Sequence, residues 1–202
     1  MRPIASTVTV PATDRKLVSL DDLREQLRVK PNDTANDAWL TKVIDRVSRQ
    51  AERYCNRIFA PQGYAETFMA PGSTGEPLIL SQAPIDPTTL IVTLDGAVID
   101  ATDYILDSFA GLLYRAAGWS MSTSLVIEYT AGFDTIPPDV EQAVLDLCVM
   151  ENSGRGRDPM LRASDSPGLG RQEFWVGGLP GGAAIPTEIA ALLDPYHRGL
   201  IG

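Results

Sequence analysis

Residues 37–58 read DAWLTKVIDRVSRQAERYCNRI, and the order of their apolar positions decides the fold. Leu40, Val43, Ile44, Val47, Ala51, Tyr54, Cys55 and Ile58 step by three and four, the period of an amphipathic helix that buries one face. The spacing predicts a helix from Asp37 to about Ile58, closed by Phe59-Ala60-Pro61 and Gly63, where proline and glycine make the hydrogen-bond ladder costly to continue. On the same segment Lys42, Arg46, Arg49, Arg53 and Arg57 recur at helical spacing and line a second face. Two readings fit that stripe. It is either a solvated face, partly paired through Asp45 and Arg49, or an interface for an acidic part of another subunit.

Upstream of this helix, residues 1–18 alternate Ile, Val and Thr between Pro3 and Pro11 and suit an extended N-terminal arm. Ser19, with Asp22 three positions on, has the pattern of a capping box, and Leu20, Leu23 and Leu27 give the short helix that follows its apolar stripe. Residues 30–36 read as a loop. Downstream, over residues 64–133, the apolar period falls from 3.6 to 2, as in an antiparallel sheet. Asp95-Gly96 between Thr89–Leu94 and Ala97–Ile99 is a type I′ hairpin signal, because both residues accept positive φ. A second hairpin is expected around Gly111, and Leu125, Ile127 and Tyr129 mark the buried face of one strand.

Helical periodicity returns after Pro137-Pro138, where Val140, Val144, Leu147 and Cys148 form a stripe and Asp139 and Glu141 suit the positive end of the helix. Residues 153–185 hold eight glycines and three prolines, too many for a packed core, with Phe174, Trp175 and Val176 as an apolar island. A short helix is expected from Thr187 to Leu193. The fold class is therefore α+β: a small bundle of α-helices (19–63 and 134–152), an inserted antiparallel β module (64–133), a Gly-rich C-terminal arm (153–185), and a short helix and tail (186–202).

Charge and composition restrict function. The net charge of −9 argues against a protein that grips nucleic acid, whose affinity rests on clustered cations. Residues 1–63 carry 11 basic and 8 acidic side chains, whereas residues 64–151 carry 13 acids and one base, Arg115. Opposite signs thus sit on different parts of the chain. Cys55 and Cys148 fall in apolar helical patterns and read as core residues of a protein made in a reducing cytoplasm. No apolar run is long enough to span a bilayer, and no secretion signal is expected at the start.

A search for catalytic chemistry finds no constellation. His197, the single histidine, stands close to the C-terminal end beside Arg198 and reads as a surface residue rather than a triad member, and no second His or Cys sits at zinc spacing from it. Gly168-Leu169-Gly170 and Gly177-Gly178 lack the Lys-Ser/Thr ending of a phosphate loop. Asp100, Asp103 and Asp107 lack EF-hand spacing and read as solvation of a sheet edge. No catalytic, metal or cofactor residue is expected, and the chain is read as a non-enzyme.

Four passages carry a family resemblance. Residues 19–29 (SLDDLREQLRV), residues 39–59 with their Tyr54-Cys55-Asn56-Arg57 close, residues 129–147 from Tyr129-Thr130-Ala131-Gly132-Phe133 to Leu147, and Leu192-Leu193-Asp194-Pro195-Tyr196-His197-Arg198 resemble, in order, the head-tail connector adaptors of long-tailed phages and gene transfer agents. The resemblance implies a virion structural protein at the head-tail interface. It implies a homo-oligomeric ring, expected to be a dodecamer, that contacts a portal protein above and a stopper or other tail-side connector below, with DNA passing through unbound. Phe174, Trp175, Val176, Tyr196 and Arg198 are then the candidate docking residues, and Lys42, Arg46, Arg49, Arg53 and Arg57 the candidate subunit interface. No cofactor is implied and no membrane. The alternatives are a stopper or tail-completion protein, and a small acidic binding domain unrelated to viruses.

Overall fold

The computed structural model describes residues 1–30, 32–69, 72–121, 124–156, 163–166, 170–173 and 185–198. It is an α+β fold of helices and antiparallel sheets in two compact units, one made of residues 1–15 and 58–136, the other of residues 16–57 and 137–202.

The second unit is helical. Helix α1 (Leu20–Gln26) starts on the expected capping box: the Ser19 hydroxyl accepts from the Asp22 N–H at 3.1 Å, and the Asp22 carboxylate accepts from the Ser19 N–H at 3.3 Å. Helix α2 (Asp37–Cys55) buries Leu40, Val43, Ile44, Val47, Ala51 and Cys55 along the predicted stripe. It ends three residues before the expected Ile58 because Asn56 turns left-handed, with φ of 50°. Asparagine tolerates that conformation better than most side-chain-bearing residues, so it stops the helix before Pro61 is reached. Helix α3 (Pro138–Ser153) packs beside α2 and buries Val140, Ala143, Val144, Leu147 and Cys148, leaving Leu145 half-buried. Helix α4 (Thr187–Leu193) closes this core with Ile189 and Leu193.

The first unit is the β module. Its main sheet has the order β1-β2-β10-β5-β6, from β1 (Ala5–Val10), β2 (Gln62–Phe68), β5 (Ile85–Leu94), β6 (Ala97–Val98) and β10 (Leu125–Ala131), all neighbours antiparallel. The segment read as an extended arm is extended, and its residues 5–10 pair with β2 as an edge strand. The β5–β6 turn is the expected hairpin, with φ of 48° at Asp95 and 85° at Gly96. A three-stranded sheet joins β4 (Leu78–Ile79), β8 (Leu112–Tyr114) and β7 (Ile105–Asp107), and β3 (Gly72–Thr74) pairs with β9 (Trp119–Met121). Phe68, Leu80, Leu113, Trp119, Leu125 and Ile127 are fully buried in the core of this unit. A further hairpin, β11 (Ala163–Ser166) with β12 (Gly170–Glu173), is formed within the glycine-rich stretch.

One polar cluster is sealed into the β core. Glu66 is wholly buried, although the alternation of Tyr64, Glu66 and Phe68 is otherwise aromatic. Its carboxylate accepts from the Tyr129 hydroxyl at 2.8 Å, the Ser6 hydroxyl at 3.1 Å and the Ser81 N–H at 3.1 and 3.2 Å. Burial and the adjacent Glu66 charge push the Tyr129 phenol far above its ordinary range, so it stays a donor. Tyr64 stacks on Tyr129 at 5.7 Å and accepts from Gln62 at 2.9 Å. Glu66→Ala strands three donors, and an unsatisfied buried group costs about 1–3 kcal/mol. The substitution is expected to lower stability by about 3 kcal/mol, and Glu66→Gln by less. Equal denaturation midpoints for Glu66→Ala and the parent chain would contradict this.

Candidate functional site

The α2 side opposite the buried stripe carries the basic series. Lys42, Arg46, Arg49 and Arg53 are all exposed, and Arg57, just past the helix end, is half-buried. These cations are not equivalent. Arg46 bonds Glu151 of α3 at 3.0 Å and lies 5.7 Å from the Trp39 ring. Arg49 reaches back to Glu52, itself nearly buried, at 3.3 Å. Asp45, the expected partner of Arg49, pairs instead with Lys16 at 3.8 Å. Lys42 and Arg53 form no ion pair among the described residues. Such exposed pairs contribute roughly 0–1 kcal/mol each, so the stripe does not hold the fold together.

Trp39 was not singled out by sequence reasoning, yet it anchors the N-terminal end of this face. Arg155 lies 4.9 Å above its ring and donates to Asn36 at 2.8 Å, and Arg46 approaches the same ring. The available signal was the i,i+7 spacing of Trp39 and Arg46, two turns apart on one face.

At the C-terminal end of α2, two of the four resemblance-bearing passages meet. The Arg198 N–H donates to the Cys55 carbonyl at 2.9 Å, and the Asn56 side chain donates to the Arg198 carbonyl at 3.3 Å. The Tyr54 hydroxyl donates to Asp194 at 2.5 Å, and its ring meets His197 edge-on at 6.0 Å. Asp194 accordingly raises the Tyr54 phenol to about 12. The Cys55 carbonyl is one of the last four of α2, which have no partner within the helix, so the tail serves as its cap. Arg57 beside it is held below its usual value, first by burial and then by the neighbouring Arg198 charge. Tyr196 and Arg198 thus sit half-buried at the end of α2, with Arg57 close by. Phe174, Trp175 and Val176 lie outside the described residues.

Cys55 and Cys148 are free, buried thiols, pushed up to about 12 by desolvation, which makes them poor nucleophiles. Among the described residues no group of three or more His, Cys, Asp or Glu side chains could hold a metal ion. No helix among them is long and apolar enough to cross a membrane.

Comparison with known proteins gives a family and a shared fold. A family model described as head completion protein matches residues 16–150. Two solved chains share the fold over nearly the full length. One, from the neck of an empty GTA particle computed with C6 symmetry, has a TM-score of 0.58 and 20% identity, covering 98% of this chain and 99% of that one. The other, from the virion of a native gene transfer agent particle, has a TM-score of 0.60 and 18% identity, with the same coverage. No curated protein sequence matches significantly.

Proposed function

The chain belongs to the head completion protein family, and on that premise we propose that it is a head-tail connector subunit. Copies close into a ring beneath the portal of a phage or phage-like particle and leave a passage for the genome. The observation that carries this reading is the separation of sign: an exposed basic stripe on α2, and a β module that holds almost no bases. Two different patches on one chain suit a head-to-tail contact, the kind that closes into a cyclic ring. A net negative subunit also repels phosphates, which favours transit of DNA over retention. A dodecamer is the expected count, with the portal on one side and a stopper or other tail-side connector on the other. Phe174, Trp175 and Val176, together with Tyr196 and Arg198 at the tail cap, form the portal contact in this reading.

The test is to mix the purified chain with its cognate portal and image the product. Rings on the portal are expected, and portals left bare at every concentration would overturn the reading. The contact between copies has its own test. Arg49 is a poor choice for reversal, because its loss would expose the buried Glu52 carboxylate to a repulsive neighbour. Lys42→Glu with Arg53→Glu avoids this. The doubly reversed chain is expected to stay folded and lose assembly, and 1 M salt, where the screening length falls from about 10 Å to about 3 Å, should weaken the parent ring. Full-sized rings from the reversed chain would count against the stripe as an interface.

A further inference from the structure

We propose that the outer face of the β4-β8-β7 sheet is the surface that receives the basic face of α2 from a second copy of this chain. The register puts Ile105 directly across from Tyr114, and Asp107 across from Leu112, which in turn faces Ile79. Residues paired in this way share a side of the sheet. The opposite side, Leu78, Leu106 and Leu113, turns to the core. The outer side is mostly apolar and in part uncovered: Ile79 and Leu112 are half-buried, but Ile105 is 69% exposed, Tyr114 44%, and Phe109 in the β7–β8 turn 72%. Ile105 and Tyr114 paired on one small sheet, with Phe109 exposed in its turn, are costly to leave in water.

The rim of this face identifies its occupant. Asp100 and Asp107 use only Oδ1, for their own turns: Asp100 accepts from the Thr102 N–H at 2.9 Å, and Asp107 from the Ala110 N–H at 2.9 Å. Asp103 is exposed and bonds no side chain among the described residues. Asp107 therefore lies on the apolar face itself, and Asp100 and Asp103 flank the short turn that leads into β7. The face's complement is a surface of cations on long methylene stems, which cover apolar groups while their heads meet acids, and guanidinium planes stack on Tyr and Phe rings. The α2 stripe has that composition, and its two cations without an ion pair among the described residues, Lys42 and Arg53, stand about 16 Å apart along the helix axis. Asp103, two residues before β7, is at most ~14 Å from Asp107 along the chain.

The proposal rests on the ring reading and names the two faces that meet, so the test separates the two claims. Three full-length variants are compared with the parent for assembly on the portal: Asp103→Arg, Lys42→Glu with Arg53→Glu, and all three changes together. Circular dichroism verifies that each is folded. Asp103→Arg and the α2 pair are each expected to raise the concentration of half-assembly about tenfold or more, and the combined chain to recover most of that loss, because the signs are exchanged and still complementary. Phe109→Ser should weaken assembly at every salt concentration. Rings that form normally in Asp103→Arg and Phe109→Ser, or a combined chain no better than the worse of its parents, would overturn the pairing while leaving the ring intact. A parent chain that never assembles would overturn both.

Discussion

Gly132→Val is expected to destabilise the β unit by about 2–6 kcal/mol, a large part of the stability of a typical domain. Gly132 has φ of 140°, which side-chain-bearing residues avoid, and a Cβ built there falls 2.6 Å from the backbone of Ala60 and Pro61. Both costs apply together. Backbone strain of this kind costs about 1–3 kcal/mol, and overpacking against atoms that cannot rotate away costs about 1–3 kcal/mol more. The close approach is part of the fold: the Gly132 N–H donates to the Pro84 carbonyl at 2.9 Å, and the Phe133 N–H to the Phe59 carbonyl at 2.7 Å, while the rings of Phe59 and Phe133 stack at 5.8 Å. Gly75→Val is the control, because nothing lies within 4 Å of its Cβ position. Amide exchange on β2 and β10 reports on this unit separately from the helices. Unchanged protection of those strands in Gly132→Val would show that the chain relieves the clash at little cost.

That glycine also marks where the sequence could be read and where it could not. Tyr129-Thr130-Ala131-Gly132-Phe133 was recognisable as a passage, but the reason for its glycine is the backbone of residues some seventy positions earlier. Local devices were legible. The Ser19–Asp22 box, the Asp95-Gly96 hairpin and the α2 stripe each follow from residues within a turn or two of one another, so periodicity and turn chemistry suffice. Non-local pairing was not: nothing within residues 5–10 says that they join β2 as an edge strand, and nothing in residues 192–198 says that they cap α2. Glu66 is an intermediate case. Its residue type argues for the surface, yet its place between Tyr64 and Phe68 in a two-residue alternation put it on the buried side. The basic stripe could be located from spacing alone, but which of its cations are already engaged depends on Glu151 and Glu52, and only the fold reveals that.

Removing residues 186–202 is expected to lower the stability of the helical unit by about 4–8 kcal/mol, the largest loss anticipated for this part of the chain. The deletion takes away Ile189 and Leu193, both buried, and each fully buried aliphatic side chain contributes about 1.5–3 kcal/mol. It also uncaps α2, because the Arg198 N–H no longer reaches the Cys55 carbonyl and Tyr54 loses Asp194. The docking role proposed for the C-terminal third must therefore be divided. Residues 187–198 belong to the folded unit before any partner arrives, so a deletion that includes them confounds docking with unfolding. A cleaner variant replaces Phe174, Trp175 and Val176 with serine and keeps the tail. If those three residues dock on the portal, this chain should melt within about 0.5 kcal/mol of the parent and fail to join it. Thermal unfolding and portal binding, measured on both variants, then distinguish the roles. A deletion of 186–202 that melts like the parent would mean that α4 contributes little to the core. A serine variant that melts early would place the three residues inside the fold rather than at a contact.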